Sequence, residues 1–383
     1  MEDGCSMRSL TIFIYCTLAV AQWTPVAKSG LGPFSEVALA RTSDGVLHAA
    51  WRQQGDDGKW SLWYASRGQA SETAIRGWSA LSDPALAAGA DGALYLIFGG
   101  VRGEGPREAA WNQGSLYRAV RAPGDTEFVL EEKEHSRSRT AYAGPLGLSV
   151  AHDGAIWIGW PANAEYVVQP GFDRPTYFDA AGGDCCVYMG QLAADAATGE
   201  LWAAWYASAG AHRGLMLRRA TPDLGPLLIV PGTTGVYFAE TQVREPDQQL
   251  AFSGRSDGPG VWLAWCQGYP TCTEIRLWQP GPAAPITLAR GVGLKGPALA
   301  RAPEGRLWVA WVEGGRVAAV RSNREMTRFS KPVTVPAPVS SAKIYAEASE
   351  GPLDVFIHTG AALFQSRITP PSEVDTPVRV TRY

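Results

Sequence analysis

Histidine and methionine are scarce, five of each in 383 residues. No C-x-x-C pair and no His-x-x-x-His pair occurs, so the chain has no structural zinc signature and no metal or other cofactor is expected. Charged residues make up 19%, below the usual quarter, and 34 Lys+Arg against 37 Asp+Glu leave a net charge of -3. Such a balance gives no basic footprint, and nucleic acid is not expected as a partner. Long apolar runs are missing too. The one candidate, Leu10 to Val20, is too short to cross a bilayer comfortably, so no membrane span is expected.

What is abundant is Trp (15), Gly (43) and Pro (27), within a chain that is 46% hydrophobic. That mixture predicts many short strands and tight turns around a sizeable core rather than long helices. The Leu10–Val20 run follows Arg8 and precedes a small-x-small pattern at Ala19-Val20-Ala21, which reads as an export signal. The competing reading is a buried first strand, since Ile12 to Tyr15 also suit one. Residues 1–21 are therefore taken as a signal peptide and 22–383 as one β-propeller, secreted or periplasmic, acting as a monomer. After cleavage four cysteines remain: Cys185, Cys186, Cys266 and Cys272. An oxidising compartment permits a vicinal Cys185–Cys186 disulfide beside a six-residue Cys266–Cys272 bridge. Buried thiols, or pairing between the two groups, are the alternatives.

The strongest signal is internal repetition. An acidic-Gly turn followed by a strand recurs as Asp44-Gly45, Asp91-Gly92, Asp153-Gly154, Asp257-Gly258, Glu304-Gly305 and Glu350-Gly351, with Thr198-Gly199 as the fourth of seven copies. Gly accepts positive φ in a tight hairpin, and Asp caps its own backbone. A large apolar residue falls six or seven places after each Gly, and its expected role is packing. Segments such as EVALA precede the turn, SLWYAS-type segments follow, and a fourth strand is visible in most copies (YVVQ is the less clear third strand of copy three). Four short strands per copy predict an all-β, single β-propeller of seven four-stranded blades, with six as the alternative. The ring must close through WTPVA, from Trp23, or through the C-terminal PVRV.

In such blades the loops entering the first strand and those joining strands two and three gather at one end, opposite the Gly turns. That end is where a ligand is expected. It collects Asp83, Arg139 to Gly144, Asp184 to Tyr188, Lys295 and Lys343 to Tyr345 from the entry loops. From the other loops come Arg52, Arg102, Trp160, Tyr206 to Arg213, Glu313 and His358. An oxidised Cys185–Cys186 ring would be compact and apolar, suited to lie against a ligand.

Seven acidic-Gly hairpins with Trp-ending strands, together with TAYAGPLGLSVAHDG and CCVYMGQLAADAATGELWAAWY, resemble the sialidase-like, bacterial-neuraminidase-repeat propellers. The likeness is architectural. Ser43-Asp44-Gly45 lacks the family's spacer between Asp and Gly, and Phe34 to Val37 carries no Arg where the family has Phe-Arg-Ile-Pro. The resemblance implies a sialidase-like glycoside hydrolase, with an Arg cluster for a carboxylate, a Tyr activated by Glu, and an Asp acid. Candidate catalytic residues are Tyr142, Asp184 and Tyr188. Glu165 and Tyr166 are further catalytic possibilities, and the candidate ligand-binding residues are Arg52, Asp83, Arg102, Arg139, Trp160, Cys185, Cys186 and Tyr206. The ligand is expected to be a carbohydrate or another small polar molecule. The alternative is a non-catalytic scaffold that binds a protein or a cell-surface glycan.

Overall fold

The computed structural model describes residues 23–27, 31, 35–102, 115–131, 136–137, 146–151, 153–162, 165–171, 176–179, 187–207, 213–234, 250–268, 271–338 and 343–370. Residues 1–21, expected as a signal peptide, the PVRV segment and the Cys185–Cys186 pair lie outside these residues.

The chain begins with β1 (Thr24–Ala27). The first repeat forms β2 (Val37–Arg41), β3 (Leu47–Gln54), β4 (Trp60–Ser66) and β5 (Glu72–Trp78). The second forms β6 (Ala80–Leu81), β7 (Ala85–Ala88), β8 (Leu94–Val101), β9 (Ser115–Arg121), β10 (Val129–Leu130) and β11 (Ser136–Arg137). Then come β12 (Gly147–Val150), β13 (Ile156–Ala162), β14 (Glu165–Pro170) and β15 (Thr176–Asp179), with the uncertain YVVQ segment in β14. The fourth repeat forms β16 (Val187–Ala194), β17 (Leu201–Ala207), β18 (Gly214–Thr221) and β19 (Leu228–Ile229). The fifth and sixth contain β20 (Leu250–Gly254), β21 (Val261–Gln267), β22 (Cys272–Trp278), β23 (Ile286–Arg301), β24 (Leu307–Glu313), β25 (Arg316–Arg321) and β26 (Val333–Pro336). The last forms β27 (Lys343–Glu347), β28 (Leu353–His358) and β29 (Leu363–Ile368).

The turn chemistry follows the sequence. All seven glycines of the repeated pair have positive φ, from 69° at Gly305 to 106° at Gly351. The Oδ1 atoms of Asp44, Asp91 and Asp153 accept the backbone N–H two residues on, at 3.2, 3.1 and 2.9 Å. The residue six or seven beyond each Gly is a core residue: Trp51, Phe98, Trp160, Trp205, Trp265, Trp311 and Ile357 are all at most 3% exposed. Burying each such side chain is worth about 2–3 kcal/mol.

The expected seven separate four-stranded blades, and the six-bladed alternative, are corrected by the sheet topology. The all-β fold is a five-bladed β-propeller plus a seven-stranded half-barrel sheet. The cause is β23, 16 residues long, which pairs with β22 through its first half and with β24 through its second. The linking segment Gly291 to Gly296 bends through two positive-φ glycines, Gly293 at 76° and Gly296 at 84°, with a register shift on each side. Pairing nevertheless passes from β22 at Leu294 to β24 at Lys295, so two repeats share one sheet. One of the five blades also carries six strands rather than four.

The first strands of the repeats follow one another around a closed circuit, with β27 returning to β2. Apolar clusters fill the spaces between consecutive repeats. The last of them sets Tyr345 and Phe356 against Trp51 and Leu47. Closure uses the N-terminal segment: β1 pairs antiparallel with β29, Thr24 opposite Gln365. Trp23 Nε1 also donates to the Pro336 carbonyl at 2.6 Å. WTPVA is therefore a ring-closing strand.

Candidate functional site

Closure brings the start of the first repeat against the end of the last. Glu36 stands one residue before β2, and Lys343 and Tyr345 lie two apart on β27, so strand alternation puts both on one side. Lys343 Nζ is paired with Glu36 Oε1, and the Tyr345 hydroxyl donates to Glu36 Oε2 at 2.5 Å. On the other flank the Glu36 backbone N–H donates to Asp83 Oδ1 at 3.0 Å, and Arg52 Nε lies 2.7 Å from the same oxygen. Arg52 also donates through Nη1 to the Leu81 carbonyl at 2.9 Å, with its guanidinium carbon 5.1 Å from the Trp60 ring centre. His358 sits opposite Lys343 in the β27–β28 register.

Burial shapes the chemistry of this cluster. Asp83 is 3% exposed, and desolvation pushes its carboxyl above the usual range despite the opposing pull of Arg52. Burial, then the neighbouring Glu36 charge, holds the Tyr345 phenol well above its ordinary value. His358 is brought down to about 4, by burial first and by the Lys343 charge second, and is neutral near pH 7. Its Nδ1 accepts the Gly360 N–H at 3.3 Å, which leaves the ring proton on Nε2, an atom with no hydrogen-bond partner among the described residues. Two carboxyls, two cations, a protonated phenol and a neutral imidazole thus meet where the ring closes. That set can hold hydroxyl and carboxylate groups and can donate a proton.

Of the residues proposed from sequence, Arg52 and Asp83 are brought together here. Arg102 is exposed, its guanidinium carbon 5.1 Å from the Trp78 ring and 5.4 Å from Tyr117. Trp160 and Tyr206 are buried within apolar clusters, and Tyr188 is half-buried opposite Tyr206 on the β16–β17 pair. Tyr142, Asp184, Arg139, Cys185 and Cys186 lie outside the described residues. Tyr166 is fully buried and stacked on Trp205 with ring centres 5.4 Å apart. Cys266 and Cys272 are disulfide-bonded, as expected.

Sequence reasoning left Glu36, Lys343, Tyr345 and His358 out of the candidate list, although it placed Lys343, Tyr345 and His358 at the end opposite the Gly turns. The signal that would have found them is ring closure through Trp23, which makes residues 36 and 345 neighbours. Two motif-like spacings have structural uses instead. Gly254-Arg255-Ser256-Asp257-Gly258 has the spacing of a nucleophile elbow, but Ser256 bonds the Ala302 carbonyl and accepts the Gly305 N–H, tying adjacent turns together. Gly291 to Gly296 has dinucleotide-loop spacing but runs inside β23, which is followed by a three-residue 3-10 turn, Pro303–Gly305, rather than an α-helix. Among the described residues no cluster of metal-ligating side chains occurs.

No family model matches the chain, and no curated protein matches it by sequence. Solved structures match its fold. A virginiamycin B lyase from Staphylococcus aureus, solved with quinupristin, aligns with a TM-score of 0.52 at 11% identity, over 90% of this chain and 99% of that one. An ulvan lyase, a polysaccharide lyase solved with a -[GlcA(1-4)Rha3S]- ligand, aligns with a TM-score of 0.52 at 9% identity, over 91% and 96%. A Hadza microbial sialidase aligns with a TM-score of 0.51 at 11% identity, over 87% of this chain and 65% of that one. At these identities the likeness is one of fold. It supports the β-propeller fold.

Proposed function

We propose that this protein is a carbohydrate-binding and carbohydrate-processing propeller, secreted or periplasmic, that works at the seam between its first and last repeats. The observation that carries the reading is the Tyr345 phenol bonded to the Glu36 carboxylate beside a buried Asp83. A sialidase-like hydrolysis asks for a Tyr paired with Glu, an acid, and a cation for the sugar's carboxylate. Tyr345, Glu36, Asp83 and Arg52 supply those chemical types. Asp83, with its raised affinity for protons, is assigned as the acid; Arg52 and Lys343 are assigned to anchor the sugar. Propeller lyases and a sialidase among the structural matches support a saccharide as ligand. The disulfide fits an oxidising compartment.

A second reading has its own support. Lys343 is paired with Glu36, and Arg52 Nε lies 2.7 Å from Asp83 Oδ1, without a ligand. This is also what a purely structural ion network does, and it favours a non-catalytic scaffold that binds glycans or proteins on one end. A glycan array, combined with turnover assays on fluorogenic sialosides, neutral glycosides and uronate-containing polysaccharides, separates the two. Turnover that Glu36→Gln abolishes supports the enzyme. Binding without turnover supports the scaffold.

A further inference from the structure

We propose that Arg41 is a positioning residue for the seam site, acting through β27 from the opposite end of the strand pair; this rests on the reading of the Glu36–Tyr345 cluster as the ligand-binding end. Arg41 is the last residue of β2, and its side chain is 5% exposed. Its Nε lies 2.5 Å from Glu347 Oε2 at the end of β27, and its Nη2 lies 2.5 Å from Asp354 Oδ2 on β28. Nη1 donates to the Gly45 carbonyl at 2.7 Å and lies 3.3 Å from Glu350 Oε2. One buried guanidinium therefore grips three carboxylates of the last repeat while anchored to its own turn. Asp354 is fully buried, and Arg367 reinforces the group by donating to Glu350.

The seam has a special need for such a grip. At the fifth and sixth repeats the continuous strand β23 fixes the relation between neighbours. No chain continuity links β27 to β2. Among the described strands, the backbone pairing that joins the two termini is the outer pair β1–β29, whose register shifts between Pro25 and Ala27. The first strands β2 and β27 are instead joined by side chains at both ends. Glu36 takes Lys343 and Tyr345 at one end, and Arg41 takes Glu347 and Asp354 at the other. At roughly 3.3 Å per residue these two groups of contacts stand about 15 Å apart along the strand. Held by a pin at each end, β27 keeps Tyr345 of the near group against Glu36. With the far pin removed, β27 turns about the Lys343–Glu36 pair and the phenol–carboxylate contact loosens.

The test reads the Tyr345 hydroxyl proton in the intact chain, as a slowly exchanging NMR resonance identified by its loss in Tyr345→Phe. Arg41→Met and Asp354→Asn are expected to speed its exchange by about tenfold or more, since local opening sets such protection. Arg41→Lys, which keeps one charge but loses the fork, is expected to recover part of it. Arg219→Met, which breaks the Arg219–Glu200 pair elsewhere, is the control: it lowers stability and leaves the Tyr345 proton unchanged. If Arg41→Met does not fold, Glu347→Gln weakens the same pin with a smaller loss. Unchanged Tyr345 protection in folded Arg41→Met, Asp354→Asn or Glu347→Gln overturns the positioning role. Failure to engage any glycan, with the tenfold effect intact, overturns the site reading alone.

Discussion

Gly190, on the first strand of the fourth repeat, leaves room for one aromatic ring and nothing else. A Cβ there would lie 1.7 Å from Cε2 of Tyr166, and Cβ atoms at Gly159 and Gly147 would lie 2.5 and 2.7 Å from its hydroxyl. Three glycines on three strands thus cradle a fully buried tyrosine between the third and fourth repeats. Gly190→Ala is expected to destabilise the fold by about 1–3 kcal/mol through overpacking, read as a lowered melting midpoint. The Tyr166 hydroxyl is buried with no hydrogen-bond partner among the described residues, and desolvation drives its pKa upward. Removing an unsatisfied polar atom relieves a cost, so Tyr166→Phe is expected to be neutral or stabilising by up to about 1–2 kcal/mol. A clear loss of stability in that variant would point to a partner for the hydroxyl. At this scale the sequence was legible wherever a residue's task is local. The turn glycines and the Trp of each repeat were readable because φ and strand alternation act within a few residues. Tyr166 was weighed as a catalytic candidate because nothing in its neighbourhood along the chain announces three distant glycines.

At the scale of elements, ring closure depends on a strand of only four residues. Ala27 is 7% exposed within the apolar cluster that also holds Trp51, Tyr345 and Phe356. Ala27→Asp would bury a carboxylate inside that apolar cluster, and is expected to cost about 2–5 kcal/mol. The loss should be local: hydrogen exchange accelerates in β1, β29 and β27 while β21 and β22 stay protected. Uniform acceleration would mean that the ring unfolds as one unit and that the seam is no weaker than the rest. At this scale one expectation of the sequence failed, the separate blades at β23, and one choice stayed open, the closing strand, for the same physical reason. The strands themselves were readable from apolar alternation. Which strand closes the ring, and whether β23 breaks at Gly291 to Gly296, depend on pairing partners hundreds of residues away or on hydrogen bonds that glycines neither forbid nor demand. The seam cluster was hidden by the same gap, since Glu36 becomes a neighbour of Tyr345 only after β1 has found β29.

For the whole molecule, two buried histidines set an acid limit. His48 and His358 are both held at about 4 against an ordinary 6.5, each by burial first. His48 is fixed by Tyr64 at 2.5 Å and by Thr42 at 3.0 Å. Because the folded state binds fewer protons than the unfolded one, stability is full above pH 6.5 and is lost as pH falls from 6.5 towards 4. The loss is of the order of a few kcal/mol, and His48→Gln with His358→Gln should flatten the slope in denaturant titrations across that window. Asp83 and Asp354, with carboxyls raised by burial, act in the opposite sense: the folded state keeps their protons longer, which offsets part of the loss at the acid end. The central claim, that ligand is bound where the first and last repeats meet, is tested most directly by glycan-array binding and turnover of the wild-type chain beside folded Glu36→Gln and Tyr345→Phe. The expected result is that the wild type engages a saccharide and both variants lose it by at least about tenfold, the scale of one lost charge-assisted hydrogen bond. Binding and turnover equal in all three proteins would contradict the account and move the site away from the seam.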